Sequence, residues 1–135
     1  LSEAELIDEL GCTPEGGTSP TALALFADRR CSVRMSGRMG VRSLRTSVAA
    51  GAPVIVAYQA WGRNTDHATS WDHGHYSIVV AADDRRITLV DPSSKRPRRH
   101  FTPQDFLARW RDISSTGKIY QQWGCSVGPK RGAKR

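Results

Sequence analysis

Cysteine is scarce in this chain: Cys12, Cys31 and Cys125 are the only three in 135 residues. They form no CxxC pair and no metal-type spacing, and an odd count does not make a disulfide framework. Zinc ribbons, redox motifs and stapled scaffolds are therefore set aside. Each thiol reads first as a small core or loop residue. No apolar run approaches the roughly 20 residues a membrane helix needs, so no membrane partner is expected. The acidic start, Leu1-Ser2-Glu3-Ala4-Glu5-Leu6, lacks the pattern of a signal peptide. The chain also opens without Met and inside an amphipathic helix pattern, and the expectation is that the natural protein begins further upstream. Internal repeats and a second domain are absent too.

A hydrophobic content of 39% against 24% charged residues is enough for one core, with some basic sequence attached. Of the formal charge of +7, Lys95, Arg96, Arg98 and Arg99 give +4, and Lys130, Arg131, Lys134 and Arg135 give another +4. The other 12 basic residues face 13 acidic ones, leaving −1. A uniformly basic nucleic-acid face is therefore not indicated. The two clusters read as a solvated loop and a basic disordered tail over 127–135, capable of weak, non-specific polyanion contact.

Ser2 and Glu5 make a capping box for a first helix, Glu3–Leu10, with Leu6, Ile7 and Leu10 as its apolar stripe and Gly11 as its stop. Ser19 and Pro20 start a second helix through about Arg29, with Leu23, Leu25 and Phe26 for the core. Cys31–Met35 is a short extended piece, and a third helix begins near Ser43, turns Leu44 and Val48 inward and stops at Gly51. Val54–Tyr58 is a buried strand. After a polar loop over 59–73, the apolar runs Tyr76–Ala82 and Ile87–Val90 flank the turn Asp83-Asp84-Arg85-Arg86, as in an antiparallel hairpin. A last helix, Pro103 to about Arg111, carries Phe106, Leu107 and Trp110, and Ile119–Trp123 is an edge-strand candidate. Helices, then antiparallel strands with one late helix, make an α+β pattern with N-terminal helices packed on an antiparallel sheet.

The hairpin carries the chemistry. With its turn centred near Asp83, residues whose numbers total 166 face each other, as His75 and Asp91 do. Cross-strand neighbours have Cβ atoms roughly 4.5–5.5 Å apart, so Asp91 can hold the His75 imidazole. A carboxylate that orients an imidazole is two thirds of a triad for nucleophilic catalysis. Asp91 precedes Pro92, so it can equally serve as a turn initiator. Trp61 and Trp71 in the preceding loop, and Tyr76 beside His75, are candidates for holding a substrate. His67, Asp72, His73 and His75 invite a metal, but no third ligand has a telling spacing, and neither a metal nor another cofactor is expected.

Five stretches succeed one another in order: Leu-Gly-x-Thr-Pro-Glu-Gly-Gly-Thr-Ser (10–19), Gly-Ala-Pro-Val-Ile-Val (51–56), Gly-His-Tyr-Ser-Ile-Val-Val (74–80), Ile-Thr-Leu-Val-Asp-Pro (87–92) and Phe-x-x-x-Trp-x-Asp (106–112). This succession resembles the papain-like cysteine peptidases of the bacteriocin-processing, double-glycine-leader group and their peptidase-like relatives. The resemblance spans roughly residues 1–124 and implies a partial papain-like fold over 1–126. It also implies that His75 is the general base and that Asp91 orients it. The family's nucleophilic Cys, with a Gln shortly before it, starts a helix that precedes everything seen here. Residues 1–6 match the family's second helix, and no Gln-x-Cys-Gly-Pro-like stretch occurs in 1–135. A Cys at a helix start has its thiolate stabilised by the helix dipole and a nearby imidazolium. Cys12, at a helix end, lacks that support as a replacement.

Three functions follow as expectations. The first is a thiol hydrolase acting on a peptide or related amide, inactive as residues 1–135 alone. The second is a catalytically dead module that binds a peptide ligand beside Trp61, Trp71 and His75. The third is an anion- or nucleic-acid-binding protein that uses residues 95–99 and 130–135.

Overall fold

A computed structural model describes residues 2–12, 18–60, 71, 74–91, 98–114 and 116–129. Helix α1 (Glu3–Leu10) starts on the expected capping box, with Ser2 and Glu5 each bonded to the other's backbone, and ends on Gly11 in the left-handed conformation. Helix α2 (Pro20–Asp28) starts with the Ser19 hydroxyl on the Ala22 amide. Strand β1 (Ser32–Ser36), helix α3 (Val41–Ala49) and strand β2 (Val54–Gln59) follow. The central hairpin is β3 (Gly74–Ala82) and β4 (Ile87–Val90), and then come β5 (Arg98–Phe101) and helix α4 (Pro103–Arg109). Strands β6 (Arg111–Ile113), β7 (Ile119–Gln121) and β8 (Gly124–Gly128) are the last elements among the described residues.

Six strands form one antiparallel sheet in the order β1-β8-β2-β3-β4-β5, and β6 pairs with β7 alone. Side chains of a strand alternate between faces, so the sheet separates two apolar clusters. On one face Val54, Val56, Tyr58, Val79 and Leu89 pack with Leu44 of α3, with Phe106 of α4 and with Trp110, which follows α4. On the other, Ala57, Cys125 and Trp123 pack with Ala24 of α2, and Tyr76 joins them. Each large side chain so buried contributes roughly 1.5–3 kcal/mol relative to exposure. The Trp110 indole N–H finds the Trp123 carbonyl at 2.8 Å, which removes the cost of burying a bare donor. The antiparallel sheet and its four helices thus make the expected α+β fold.

Several local expectations change. Leu25 of α2 is 61% exposed, because Pro20, Ala24 and Ala27, spaced to lie on one helical face, turn inward instead. Ile7 of α1 and Leu107 of α4 are exposed as well. Arg98 and Arg99 belong to strand β5, not to a loop, with Arg99 opposite Leu89. Trp123 lies outside β7, and β8 runs to Gly128, two residues beyond position 126, where the folded part was expected to end. Residues 130–135 lie outside the described residues.

Candidate functional site

The observed hairpin register differs from the expected one by two residues. Ile78 pairs with Val90 and Val79 with Leu89, so facing numbers total 168, and a bulge between Val79 and Ala81 raises the total to 169 nearer the turn. Asp83 closes that turn by accepting the Arg85 and Arg86 amides, both at 2.8 Å, and these bonds hold its carboxyl below the usual range. Continued one residue past Val90, the register sets Asp91 opposite Ser77, so His75 is its diagonal neighbour. A slip of two keeps both side chains on one face, whereas a slip of one would have parted them.

His75 Nε2 lies 2.9 Å from Asp91 Oδ1. The Asp91 side chain is fully buried, whereas that of His75 is 21% exposed. A carboxylate only accepts, so the shared proton sits on Nε2 and the basic lone pair of the neutral ring is left on Nδ1. Around the pair, the Ser77 hydroxyl donates to the Val90 carbonyl at 2.9 Å and fixes the strand end that carries Asp91. Tyr58 stands opposite His75 on β2, with ring centroids 6.4 Å apart. Arg99 Nη1 donates to the Tyr58 hydroxyl at 3.1 Å while its guanidinium covers the Phe101 ring. Burial pushes the Tyr58 hydroxyl above its ordinary range, and Arg99 acts against that shift.

The glycine before His75 has a steric cause. A methyl group at Gly74 would meet Asp112 Cγ at 2.7 Å and Oδ2 at 2.8 Å and would overlap Oδ1. The Asp112 carboxylate sits there because Oδ1 accepts the Ile113 amide at 2.8 Å and the Gln59 side-chain amide at 3.4 Å. Gln59, buried opposite Gly74, also donates to the Arg111 carbonyl at 3.1 Å. Arg109 Nη1 donates to the Gln59 and Ala60 carbonyls at 3.2 and 3.4 Å. Helix α4 and strand β6 therefore clamp the ends of β2 and β3 where His75 begins. Burial is the main cause of the raised Asp112 pKa. Gln59, Tyr58 and Asp112 were not among the expected site residues, although Asp112 ends the last quoted motif, and Arg99 was expected only as part of the anion-binding segment 95–99.

The other expected site residues fall elsewhere. Tyr76 follows His75 and so projects from the opposite face, where its hydroxyl donates to the Thr18 carbonyl at 2.6 Å and its ring meets Trp123 edge-on. It serves that core and not the surface beside His75. Trp71 is half-buried beneath the Arg111 guanidinium, 4.8 Å from the ring centroid. Trp61, His67, Asp72, His73, Pro92 and residues 95–97 lie outside the described residues. All three cysteines are on the Tyr76 side of the sheet. Cys12 Sγ contacts the Thr18 hydroxyl at 2.6 Å, Cys125 packs with Trp123, and Cys31 lies near enough to Cys125 to interact with it electrostatically. Burial also pushes the Cys125 thiol up, away from the reactive thiolate. None of the three is placed to give His75 a proton. Among the described residues no three His, Cys, Asp or Glu side chains gather as metal ligands.

This architecture has a solved counterpart. The structure is similar to the peptidase domain of Streptococcus ComA, a bi-functional ABC transporter involved in a quorum-sensing pathway, with a TM-score of 0.64 over 96% of this chain and 80% of that one. The chain carries that peptidase-domain fold. At 17% sequence identity the likeness is one of fold. In sequence, the chain is 35% identical over 97 residues to an uncharacterized protein of Methanothermobacter marburgensis, a match that covers 72% of this chain. It spans 56% of that relative, so the chain corresponds to about half the length of the curated protein it matches. No family model matches the chain. Among the described residues no helix is long and apolar enough to cross a membrane.

Proposed function

We propose that this chain is part of a papain-like thiol peptidase that cleaves a peptide or related amide bond, with His75 as general base and Asp91 as the residue that orients it. The observation that carries this reading is the 2.9 Å bond between a partly exposed imidazole and a fully buried carboxylate. In this reading the nucleophile is a cysteine outside residues 1–135. His75 Nδ1 takes the thiol proton, and the thiolate attacks the carbonyl carbon. The proton then passes to the leaving amine as the C–N bond breaks, leaving a thioester. Water, deprotonated by the same nitrogen, hydrolyses the thioester and frees the thiol and the acid. Asp91 fixes the tautomer throughout and stabilises the imidazolium. In this reading Trp61 and Trp71 hold the peptide.

The test is labelling of the longest natural form of the protein with a peptide that ends in a thiol-reactive electrophile. The expected adduct falls on a cysteine other than Cys12, Cys31 or Cys125, disappears in His75→Ala and slows by about 100-fold or more in Asp91→Asn, in keeping with general-base catalysis. An adduct on one of those three, or one indifferent to His75, would refute the reading. A second reading, peptide binding without cleavage, is favoured by the placement of Cys12 and Cys125 on the Tyr76 side of the sheet, opposite His75. It predicts that the unreactive parent peptide binds while no adduct forms.

A further inference from the structure

A groove of about 920 Å³ lies away from His75, between β1, α3 and β8. Tyr58, opposite His75, stands four residues along β2 from Val54, which faces the groove strand β8, a separation of about 13 Å. The floor follows from strand alternation. Val33, Cys125 and Val127 turn to the α2 face, so Arg34 of β1 and its partner Ser126 of β8 turn to the α3 face. Ser32 and Ser36, two residues either side of Arg34, share that face, opposite Gly128 and Gly124. Helix α3 packs over β2 and β3 and leaves β8 and β1 uncovered there, so its Arg42, Ser43, Thr46 and Ser47 form one wall. Arg38, in the turn between β1 and α3, also lines the groove.

Three arginines therefore line one groove from three separate elements: floor, turn and wall. The lining contains no Asp or Glu and no aromatic ring. From Arg29 to Arg45 the chain carries six arginines and no carboxylate. Arg29 and Arg30 are paired with Glu9, but Arg34, Arg38 and Arg42 form no ion pair among the described residues. The wall helix begins at Gly40 with no side-chain cap and no acidic residue in its first turn, which adds positive potential at that helix end. Like charges gathered without a counter-charge repel one another, and a ligand of opposite sign relieves that repulsion. Ser47 and Ser126 already bond to each other, and Thr46 to the Arg42 carbonyl, so the floor and wall are held in place before a ligand arrives.

We propose that this groove is a binding site for the polyphosphate group of a small ligand. Guanidinium forks match phosphate oxygens in pairs, and the Ser43 and Ser32 hydroxyls supply further donors. The volume suits a nucleotide-sized molecule. Without an aromatic platform the site has nothing on which to stack a base, so it reads the phosphates alone. Inorganic tripolyphosphate and the triphosphate end of a nucleotide are the two sources of this chemistry.

The test is calorimetric titration of the full chain with inorganic tripolyphosphate, ATP and GTP, together with backbone amide NMR. One-to-one binding is expected, weakening as salt rises, with ATP and GTP equal to each other and shifts at the amides of Ser43, Ser126 and Gly128. Equal affinity for tripolyphosphate assigns the site to free polyphosphate, whereas about tenfold tighter nucleotide binding assigns it to nucleotides. The Arg34→Gln, Arg38→Gln, Arg42→Gln triple variant should keep its far-ultraviolet spectrum and lose at least about tenfold in affinity. Replacing Lys130, Arg131, Lys134 and Arg135 by Gln should leave affinity unchanged. The proposal is overturned if the triple variant binds as well as the parent, if the tail variant loses binding, or if tripolyphosphate does not bind. Equal affinity for hexaglutamate would make the groove a carboxylate or acidic-peptide site, and tighter binding of an oligothymidylate would make it a nucleic-acid surface; either also overturns it.

Discussion

Replacing Gly74 by Ala adds one methyl group where the Asp112 carboxylate already is. Its Cγ would lie 2.7 Å from the new carbon, so the group must withdraw by about 0.8 Å to reach an ordinary contact near 3.5 Å. That movement loosens the bond from the Ile113 amide, now 2.8 Å long, and the longer one from Gln59. Overpacking costs about 1–3 kcal/mol, and a weakened bond to a charged acceptor adds about 1. Gly74→Ala should therefore destabilise the protein by ~2–4 kcal/mol. In an Asp112→Ala background the three atoms nearest to the methyl are gone. There, Gly74→Ala should be neutral or stabilising by up to ~1 kcal/mol, because alanine restricts the unfolded chain more than glycine does. The coupling of ~3 kcal/mol is measurable by urea unfolding of the four proteins with a common m value. An equal cost of Gly74→Ala in both backgrounds would refute the reasoning.

Asp112 also sets a pH dependence. Its pKa is raised in the folded state, so the fold binds its proton more tightly than the unfolded chain does. Stability should fall as pH rises from the ordinary Asp value towards the raised one, and Asp112→Asn should remove that slope in urea titrations across the acidic range. Tyr76 is raised by burial and by Asp112. Tyr76→Phe should cost ~1 kcal/mol at neutral pH through the lost bond to Thr18, and this deficit should narrow above pH 10, where the unfolded parent ionises first; a deficit that widened would contradict the assignment. Trp110→Phe leaves the Trp123 carbonyl without its 2.8 Å donor and opens space in the core, so a loss of ~3 kcal/mol in thermal or urea unfolding is expected.

The strands at the middle of the sheet were legible because both their faces are buried, and Val54–Tyr58 and Ile87–Val90 read as apolar runs. Strands β1 and β8 were less plain: β1 read as a short extended piece over 31–35, whereas β8, between β1 and β2, was not anticipated. Ser32-Val33-Arg34-Met35-Ser36 and Gly124-Cys125-Ser126-Val127-Gly128 alternate polar and apolar residues, but their polar face lines a groove, and the glycines around β8 resemble a loop. Helix faces at Ile7, Leu25 and Leu107 depended on which neighbours the tertiary fold supplies, which periodicity alone does not name. The His75–Asp91 contact was anticipated from a register two residues away from the real one. It formed because an even offset preserves the face and because side chains can reach diagonally. The basic groove was concealed by summing charge along the chain. The remainder of −1 averages an arginine-only stretch over 29–45 with acids placed elsewhere, and only the fold shows that Arg34, Arg38 and Arg42 line one groove.

Asp91 grips Nε2 of His75, and nitrogen-15 NMR of the neutral ring at alkaline pH reads this directly. The prediction is a proton on Nε2, with Nδ1 showing the shift of an unprotonated ring nitrogen, and a mixture of tautomers in Asp91→Ala. A ring protonated on Nδ1 in the parent protein, or one whose tautomer ignores the loss of Asp91, would contradict it.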